Sequence, residues 1–302
     1  MTSAGRRAPA ASGLVIVDKP SGRTSHDVVA QIRRLAGTRR VGHAGTLDPM
    51  ATGVLVIGVE KATRLLGYLA LTEKEYTATI RLGQATDTDD ADGVTIAETS
   101  AAGVSQAAVE AAATALTGEI QQVPPGFSAI KVAGKRAYRL AREGAAPALA
   151  ARTVTVSSFT ILAVRRDGDL LDADVAVTCS SGTYIRALAR DLGAALGVGG
   201  HLTVLRRTRV GPYEIGQART LEQLAASFTM IPLAEAAGAA FRRLNLTEED
   251  ARLVAHGRRL PSSVLGLEPG AGLVAAFASD GSLVALLTEE AGLARPVAVF
   301  VP

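Results

Sequence analysis

The sequence is poor in the features that cross-link a protein or anchor it in a membrane. It has a single cysteine, Cys179, which excludes an internal disulfide and a cysteine-rich zinc site. It has no apolar run of about 18 residues, the length that a membrane-spanning helix needs. The apolar stretch after Arg6 and Arg7 covers only residues 14–17, which is too short for a secretory signal peptide. These absences predict a soluble cytoplasmic protein.

The net charge is only +3, but charges of one sign are concentrated in blocks. Residues 1–64 carry ten Arg or Lys against four Asp or Glu, residues 65–130 carry two against nine, and residues 131–166 carry eight against one. This separation indicates basic faces that bind a polyanion, beside an acidic region that stays out of contact. Arginine makes up 27 of the 32 basic residues. Its planar fork suits phosphate groups, although genomic base composition also raises arginine content.

Residues 42–53, GHAGTLDPMATG, form the segment with the most distinctive chemistry. It contains three glycines, one proline, His43 and a single carboxylate, Asp48. Glycine and proline fix the shape of a loop, and the apolar run at residues 54–59 predicts a buried strand. A rigid loop on a core strand is a common place for a catalytic group. From spacing alone, a turn whose aspartate caps nearby N–H groups explains the pattern at least as well.

A second acidic segment, residues 86–93, contains four aspartates. A calcium-binding EF-hand loop needs oxygen ligands at positions 1, 3 and 5 and glycine at position 6. Counted from Asp87, position 5 is Ala91 and position 6 is Asp92. The pattern therefore fails, and the sequence predicts no metal site.

Periodicity and end signals predict the secondary structure. A helix is predicted over residues 25–36, with Ser25 as its N-cap and Gly37 as its stop. Further helices are predicted over residues 60–70, 105–116, 134–144, 183–196 and 220–238. Strands are predicted over residues 14–17, 76–82, 127–132 and 202–210, with a hairpin formed by residues 153–164 and 170–179.

The composition divides the chain into three parts. Residues 1–12 are rich in Ala, Ser, Gly and Arg without a period, which predicts a disordered tail. Residues 13–238 form the large domain. A small β-rich unit follows at residues 239–302, with a helix over residues 247–256 and a hairpin at Asp280-Gly281.

Residues 42–53 resemble, almost letter for letter, the catalytic loop of the tRNA pseudouridine synthase B (TruB) family. The resemblance spans roughly residues 13 to 212 and continues, in the family's order, through five further segments: LVIVDKPSGRTS (14–25), KEY (74–76), LGQATDTDDADG (82–93), PPGFSAIKVAGKRAY (124–138) and CSSGTYIR (179–186). One such segment is a weak signal, whereas the ordered series is a strong one.

The resemblance implies an α+β fold, with a mixed, mostly antiparallel sheet, flanking helices and an active-site cleft across the sheet. It implies that residues 239–302 are a PUA-like RNA-binding domain. The implied reaction is isomerisation of uridine 55 in the T-arm of tRNA, in which uracil leaves C1′ of the ribose, turns, and is rejoined through C5. No redox change occurs, so we expect no cofactor, and we expect tRNA as the partner with no obligate protein partner.

The resemblance also assigns catalytic residues. Asp48 matches the family's nucleophile, and Arg186 matches the arginine that pairs with it. Such a cation lowers the pKa of a buried carboxylate. Tyr76 matches the tyrosine that stacks on the flipped base, with a second role in proton transfer at C5. Asp90 is a weaker candidate for orienting Arg186.

Four further residues are expected to bind substrate. Tyr184 and Leu205 match residues that line the base pocket, and His43 matches one that contacts substrate near the flipped base. Lys131 and the arginines that follow it are expected to contact phosphates. A histidine between glycines is more often structural, so the assignment of His43 depends on the resemblance.

Two alternatives stay open. One is the catalytic subunit of a guide-RNA-directed pseudouridylation complex, which needs protein partners and commonly carries longer tails. The start of the fold near Leu14 and the end at Pro302 favour a stand-alone enzyme. The other is an RNA-binding or tRNA-folding protein that keeps the fold without catalysis.

Overall fold

The computed structural model describes residues 11–127 and 149–301, and the backbone of two short strands at residues 131–132 and 135–136. Within the predicted basic helix over residues 134–144, Lys135 and Arg136 form a short strand instead, and the rest of that segment lies outside the described residues. The same holds for most of the predicted disordered tail and for residues 128–130 of the predicted strand.

Within these ranges the chain contains both strands and helices, as predicted for an α+β protein. The α-helices are α1 (Ser25–Ala36), α2 (Leu66–Leu69), α3 (Gln106–Ala115), α4 (Ile185–Ala195), α5 (Leu221–Ala226), α6 (Leu233–Ala240) and α7 (Glu248–Ala255). The strands are β1 (Gly13–Lys19), β2 (Val41–Ala44), β3 (Thr52–Val59), β4 (Lys74–Leu82), β5 (Gln84–Thr86), β6 (Thr95–Glu98), β7 (Gly118–Gln122), β8 (Lys131–Val132), β9 (Lys135–Arg136), β10 (Arg152–Asp167), β11 (Leu170–Cys179), β12 (Gly200–Val210), β13 (Tyr213–Glu214), β14 (Ile231–Pro232), β15 (Arg242–Asn245), β16 (Leu260–Pro261), β17 (Leu273–Phe277), β18 (Leu283–Glu290) and β19 (Leu293–Val299). None of the helices in the described ranges has the length and apolar character needed to cross a membrane.

A ten-stranded sheet forms the centre of the molecule. Its order is β14-β1-β3-β12-β4-β11-β10-β7, with β2 added to β3 and β13 added to β12. All of these pairings are antiparallel except that between β3 and β12. The predicted mixed, mostly antiparallel sheet with flanking helices is confirmed.

The parallel contact between β3 and β12 places the 42–53 loop beside β12. Gly53 pairs with Arg207 there and has a φ of +100°. A Cβ atom at Gly53 would lie 2.2 Å from the carbonyl oxygen of Arg207, closer than any side chain tolerates. Glycine is therefore required at the end of the loop, both by the backbone angle and by the close approach of the two strands.

Helix α1 is attached to the same loop. Thr24, and not the predicted Ser25, is its N-cap. The Thr24 hydroxyl accepts a hydrogen bond from the Asp27 amide (3.1 Å), and the Asp27 carboxylate accepts one from the Thr24 amide (2.9 Å). This reciprocal pair is a capping box, and it frees the Ser25 hydroxyl to bond both the N–H and the C=O of Leu47 (2.9 and 3.1 Å). The start of α1 thereby holds the residue before Asp48.

The prediction of a continuous helix is wrong for two segments. The chain over residues 60–70 forms a 3₁₀ turn at Glu60–Arg64 followed by the single turn α2. The chain over residues 220–238 forms α5 and α6, with the short strand β14 between them. Pro232 lies at the end of this break, where it disfavours helical backbone in the residue before it and has no N–H to donate.

A second sheet, in the order β15-β17-β18-β19-β16, covers residues 242–299. It shares a hydrophobic core with the large sheet. Phe277 and Phe300, each at most 2% exposed, belong to the same buried cluster as Leu14 and Val56. The Tyr68 hydroxyl also donates to the carbonyl of Val297 (3.1 Å). The C-terminal sheet is therefore packed against the strands that carry the 42–53 loop.

Candidate active site

A cavity of about 290 Å³ opens where the 42–53 loop, β4, β12 and the start of α4 meet. Five of the residues predicted from the sequence line it together: Asp48, Tyr76, Tyr184, Arg186 and Leu205. They come from segments that are far apart in the sequence, and the sheet order brings these segments to one place. Of the other predicted residues, His43 is not among those that line the cavity, and the side chain of Lys131 lies outside the described part of the chain.

Asp48 and Arg186 form a two-point ion pair at the cavity. The Arg186 Nε atom lies 3.0 Å from one carboxylate oxygen of Asp48, and Nη2 lies 3.3 Å from the other. The Asp48 side chain is 36% exposed, whereas that of Arg186 is only 6% exposed. The carboxylate is thus held in one orientation while one side stays open to the cavity.

Asp90 holds Arg186 from the opposite side. Its carboxylate lies 3.3 Å from Nη1 of Arg186 and is itself 6% exposed. The carbonyl oxygens of Thr88 and Phe127 accept further hydrogen bonds from Arg186, each at 2.9 Å. The Thr88 hydroxyl donates to Asp90 (2.6 Å). Arg186 is therefore fixed independently of Asp48, and the weak sequence-based assignment of Asp90 gains a geometric basis.

The acidic loop, residues 86–93, supplies Asp90 to this network. Asp89 lies in left-handed backbone at a φ of +60°, which is costly for a residue other than glycine. Within the described ranges, no group of three or more His, Cys, Asp or Glu side chains is arranged to hold a metal ion.

The pKa of Asp48 is raised above its ordinary value. Burial is the largest cause, and the negative charge of Asp90 adds to it, whereas Arg186 and Lys19 act in the opposite direction. The expected lowering by Arg186 is therefore present, but it does not outweigh burial. A carboxylate that is less stabilised as an anion is also a more reactive nucleophile when ionised.

Tyr76 and Leu205 form the apolar part of the cavity. Both are nearly buried, at 7% and 5% exposure, and they lie on the neighbouring strands β4 and β12. Burial raises the pKa of the Tyr76 phenol above its ordinary value, while the charge of Arg207 opposes this rise. At neutral pH the phenol is therefore protonated, and its ring provides a flat surface for a planar ligand.

The loop before α4 is held by a side chain that the sequence did not single out. Gln122, at the end of β7, accepts a hydrogen bond from the Tyr184 amide (2.8 Å) and donates one to the Tyr184 carbonyl (3.1 Å). These two hydrogen bonds to the backbone fix Tyr184 at the cavity wall. Gln122 is 1% exposed, and only the folded arrangement of β7 and α4 reveals its role.

His43 does not line the cavity, and only the backbone of Lys131 is described. His43 is on β2, where its ring meets that of His26 edge to face at a centroid distance of 5.5 Å. Burial lowers the pKa of His43, and the nearby His26 and Arg207 lower it further, so the ring is neutral at pH 7. The backbone of Lys131 pairs with that of Arg136 between β8 and β9. The assignments of both residues stay predictions.

Two cations that the sequence analysis left unassigned line the cavity. Lys74 belongs to the quoted KEY segment, and Arg207 lies in the run of arginines on β12. Both are buried, at 5% and 1% exposure. A buried Arg in an alternating strand looks like an outward-facing one in sequence, so only the structure distinguishes Arg207 from its neighbours.

The other arginines of β12 are paired within the protein. Arg206 forms a bidentate pair with Asp18 (2.7 and 3.0 Å), and Arg209 contacts both Glu73 (2.9 Å) and Glu75 (2.6 Å). Their charges are therefore neutralised by nearby carboxylates.

In contrast, three exposed arginines at the end of α1 share one shallow concavity with Gly37 and Thr38: Arg33, Arg34 and Arg39. None of the three pairs with a carboxylate in the part of the chain that the structure describes.

Comparison with protein-family models matches nearly the whole chain. The model described as TruB family pseudouridylate synthase (N terminal domain) matches residues 33–185. The tRNA pseudouridylate synthase B C-terminal domain matches residues 186–244. The model described as tRNA pseudouridine synthase II, C terminal, matches residues 241–301.

Curated relatives are similar over their full length. The tRNA pseudouridine synthase B of Thermobifida fusca is 62% identical over 294 residues, which cover 96% of this chain and 99% of the relative. That of Streptomyces coelicolor is 60% identical, with 95% and 97% covered. That of Mycobacterium bovis is 54% identical, with 96% of each covered.

Solved structures show the same fold at lower identity. An H/ACA ribonucleoprotein bound to a substrate RNA containing 2′-deoxyuridine contains a chain that is 27% identical, with a TM-score of 0.71 and coverage of 96% of this chain and 85% of the other. An archaeal box H/ACA ribonucleoprotein complex contains one that is 28% identical, with a TM-score of 0.72 and coverage of 97% and 87%.

Proposed function

The chain belongs to the TruB family of pseudouridylate synthases, and on that premise we propose that it converts uridine 55 in the T-arm of tRNA to pseudouridine, with Asp48 as the nucleophile. The observation that carries this proposal is the network of Asp48, Arg186 and Asp90 at the mouth of a cavity with an aromatic wall. It presents an oriented, partly exposed carboxylate to a space that accepts one flipped nucleobase.

Asp48 acts on the target nucleotide as a covalent nucleophile. Attack at C1′ forms an ester-like bond to the ribose, and the electron pair of the C1′–N1 bond leaves with the uracil. The uracil then turns, its C5 atom bonds to C1′, and the carboxylate is released. The proton on C5 is lost and N1 gains one, so the product is an isomer of the substrate. Attack at the uracil ring first leads to the same product.

Arg186 positions Asp48 for this attack. Its Nε and Nη2 atoms hold the two carboxylate oxygens, and Asp90 with two backbone carbonyls holds the guanidinium. A group fixed from both sides does not need to reorganise when the substrate arrives, which is the basis of electrostatic preorganisation.

Tyr76 and Leu205 hold the extruded base. A target inside folded RNA must leave its stack before it reacts, and an aromatic face lowers the cost of doing so. A buried phenol with a raised pKa is a poor base at neutral pH. We therefore assign Tyr76 to stacking in preference to removal of the C5 proton.

The test is to incubate the protein alone with an unmodified tRNA transcript and to map pseudouridine at each nucleotide. We expect conversion at uridine 55 without a guide RNA or a second protein, because relatives with 54–62% identity over almost the whole chain are tRNA pseudouridine synthases. Modification that requires an added guide RNA would instead support the role of a guide-dependent catalytic subunit.

Substrate RNA extends from the cavity over two surfaces. We propose residues 239–302 as a PUA-like RNA-binding unit, because their sheet packs directly on the strands of the site. We propose Arg33, Arg34 and Arg39 as phosphate contacts, because they are exposed. They lie at the far end of α1 from Asp48. A helix of 12 residues is about 18 Å long, a distance that a stem-loop bridges easily.

Replacing Arg33, Arg34 or Arg39 singly by Gln is expected to weaken tRNA binding and to flatten its salt dependence. Each lost phosphate contact reduces the slope of log K against log salt concentration by up to about 0.9. The measurement is a binding titration at several salt concentrations. Arg165→Gln is a control, because Arg165 is paired with Asp174 on the β10–β11 hairpin. Unchanged slopes in all three variants would show that this surface faces away from the RNA.

A further inference from the structure

Two positive side chains meet in the cavity without a negative partner. Lys74 and Arg207 both line it, and within the described residues neither has a carboxylate oxygen within the 4.0 Å of an ion pair. The two carboxylates of the site, in contrast, are both paired with Arg186: Asp48 at 3.0 Å and Asp90 at 3.3 Å. The pair of cations is therefore an electrostatic imbalance at one end of the cavity.

Backbone carbonyls hold these cations in place. The Lys74 ammonium donates to the carbonyls of Ala70 (2.9 Å) and Thr72 (2.6 Å), which leaves its third N–H without an acceptor in the described part of the chain. Arg207 donates through Nε to Val54 (2.7 Å) and through Nη2 to Gly45 (2.9 Å). Neutral carbonyls orient the two charges but do not cancel them.

Gly45 is where the two cations come together. A Cβ atom on Gly45 would lie 3.3 Å from Nη1 of Arg207 and 3.6 Å from Cε of Lys74. Gly45 also has a φ of +73°, which favours glycine. The loop that presents Asp48 therefore makes room for both cations three residues earlier.

This arrangement is unfavourable for the protein on its own. Burial, with a smaller contribution from the charge of Arg207, lowers the pKa of Lys74 to about 8. At neutral pH the ammonium is still mostly protonated, so two like charges share a buried space. Buried charges without partners are costly, and an anion that arrives with the substrate would pair with them.

The position within the cavity distinguishes between the possible anions. Asp48 is 36% exposed, whereas Lys74 and Arg207 are almost fully buried. The ribose must lie beside Asp48, and its phosphates point toward the mouth and solvent. The base reaches inward, so its O4 atom, which lies across the ring from N1 and the ribose, faces the cations.

We propose that Lys74 and Arg207 stabilise the negative charge that develops on the uracil carbonyl oxygens during the reaction. This inference rests on the proposed function. When the C1′–N1 bond breaks, its electron pair stays on the uracil and spreads onto O2 and O4. Attack on the ring at C6 also places the charge on O4. In both routes the base becomes an anion while Asp48 becomes neutral, so the cations stabilise the reacting state more than the bound uridine.

The experiment compares two bases in single-turnover reactions. One tRNA carries uridine at the target position, and the other carries 5-fluorouridine, whose fluorine makes the uracil a weaker base and a better leaving group. The disappearance of the N-linked nucleoside is measured by digesting the tRNA and separating its nucleosides by chromatography. In Lys74→Met, and separately in Arg207→Gln, we expect the rate with uridine to fall by about 10²–10³-fold. The loss with 5-fluorouridine should be at least tenfold smaller, and the Kd for tRNA should change less than threefold.

Lys19→Met is the matched control. Lys19 is also a buried ammonium, held by the carbonyls of Pro20, Arg23 and Pro49 (2.9, 2.6 and 3.2 Å), but it is not among the residues lining the cavity. Its loss loosens the chain beside Asp48 and is expected to slow both bases equally. Thermal unfolding verifies that each variant is folded, and Lys74→Arg, which keeps the charge, should recover part of the rate.

Three outcomes are distinguishable. Equal losses with the two bases in folded Lys74→Met would overturn the inference and assign Lys74 a structural role. A higher Kd with a flatter salt dependence would overturn it in favour of a phosphate contact. A wild-type protein that forms no pseudouridine would contradict the proposed function itself, independently of either cation.

Discussion

Asp48→Asn is expected to leave no detectable pseudouridine in tRNA. Asparagine keeps the size of the side chain and most of its hydrogen bonding, but a neutral amide cannot form the ester-like bond to the substrate. The loss should exceed the roughly 10²–10⁴-fold that follows removal of a general acid or base. The measurement is pseudouridine at uridine 55 after prolonged incubation with excess enzyme.

Binding and folding should change little in this variant. The proposed phosphate contacts lie on other surfaces, so the Kd for tRNA should stay within a few-fold of the wild-type value. Arg186 loses one partner but keeps Asp90 and two backbone carbonyls, and the removed carboxylate was itself destabilised by burial. Asp87→Asn removes the same charge from the exposed part of the acidic loop and should stay active.

The result separates an enzyme from an RNA-binding protein of the same fold. If folded Asp48→Asn converts uridine 55 at even a tenth of the wild-type rate, Asp48 is not the nucleophile. Asp90 is then the nearest alternative carboxylate. If the wild-type protein and Asp48→Asn both bind tRNA tightly and neither modifies it, the alternative of an RNA-folding protein is supported instead.

The sequence predicted the parts of the fold that depend on local pattern. The alternation in β4, β10 and β11 and the apolar run of β3 gave the correct strands, because side-chain periodicity follows directly from burial on one or both faces. Thr24 was missed as the cap because Thr, Ser and Asp occur within four residues, and all of them cap helices. Thr24 caps the helix because the Ser25 hydroxyl instead forms hydrogen bonds with the backbone of Leu47.

Properties that depend on distant segments were not predictable from pattern. Arg206, Arg207 and Arg209 look alike in sequence, yet two are paired with carboxylates and one is buried in the cavity. The difference arises from the strand neighbours of β12, which only the sheet order determines. The net pKa shift of Asp48 has the same origin, because it depends on how burial and Asp90 balance Arg186.

Arg186→Met is expected to lower the activity by about 10²–10³-fold at neutral pH. The substitution keeps an unbranched side chain and removes the charge that orients Asp48. It also changes the pH dependence. Burial and Asp90 already raise the pKa of Asp48, and Arg186 opposes that rise. Without Arg186 the pKa rises further, so the carboxylate is protonated over a wider range of pH.

The sign of the effect on rate follows from the need for an ionised nucleophile. The rate falls as the pH drops through the pKa of Asp48, so the acid limb of the rate profile should move to higher pH in Arg186→Met. Raising the pH should therefore restore part of the lost activity. Arg190→Met is the control, because Arg190 lies four residues further along α4 and pairs with Asp89 (3.3 Å) outside the cavity. An Arg186→Met enzyme with an unshifted acid limb and the same fold loss at every pH would show that Arg186 aligns Asp48 without setting its ionisation.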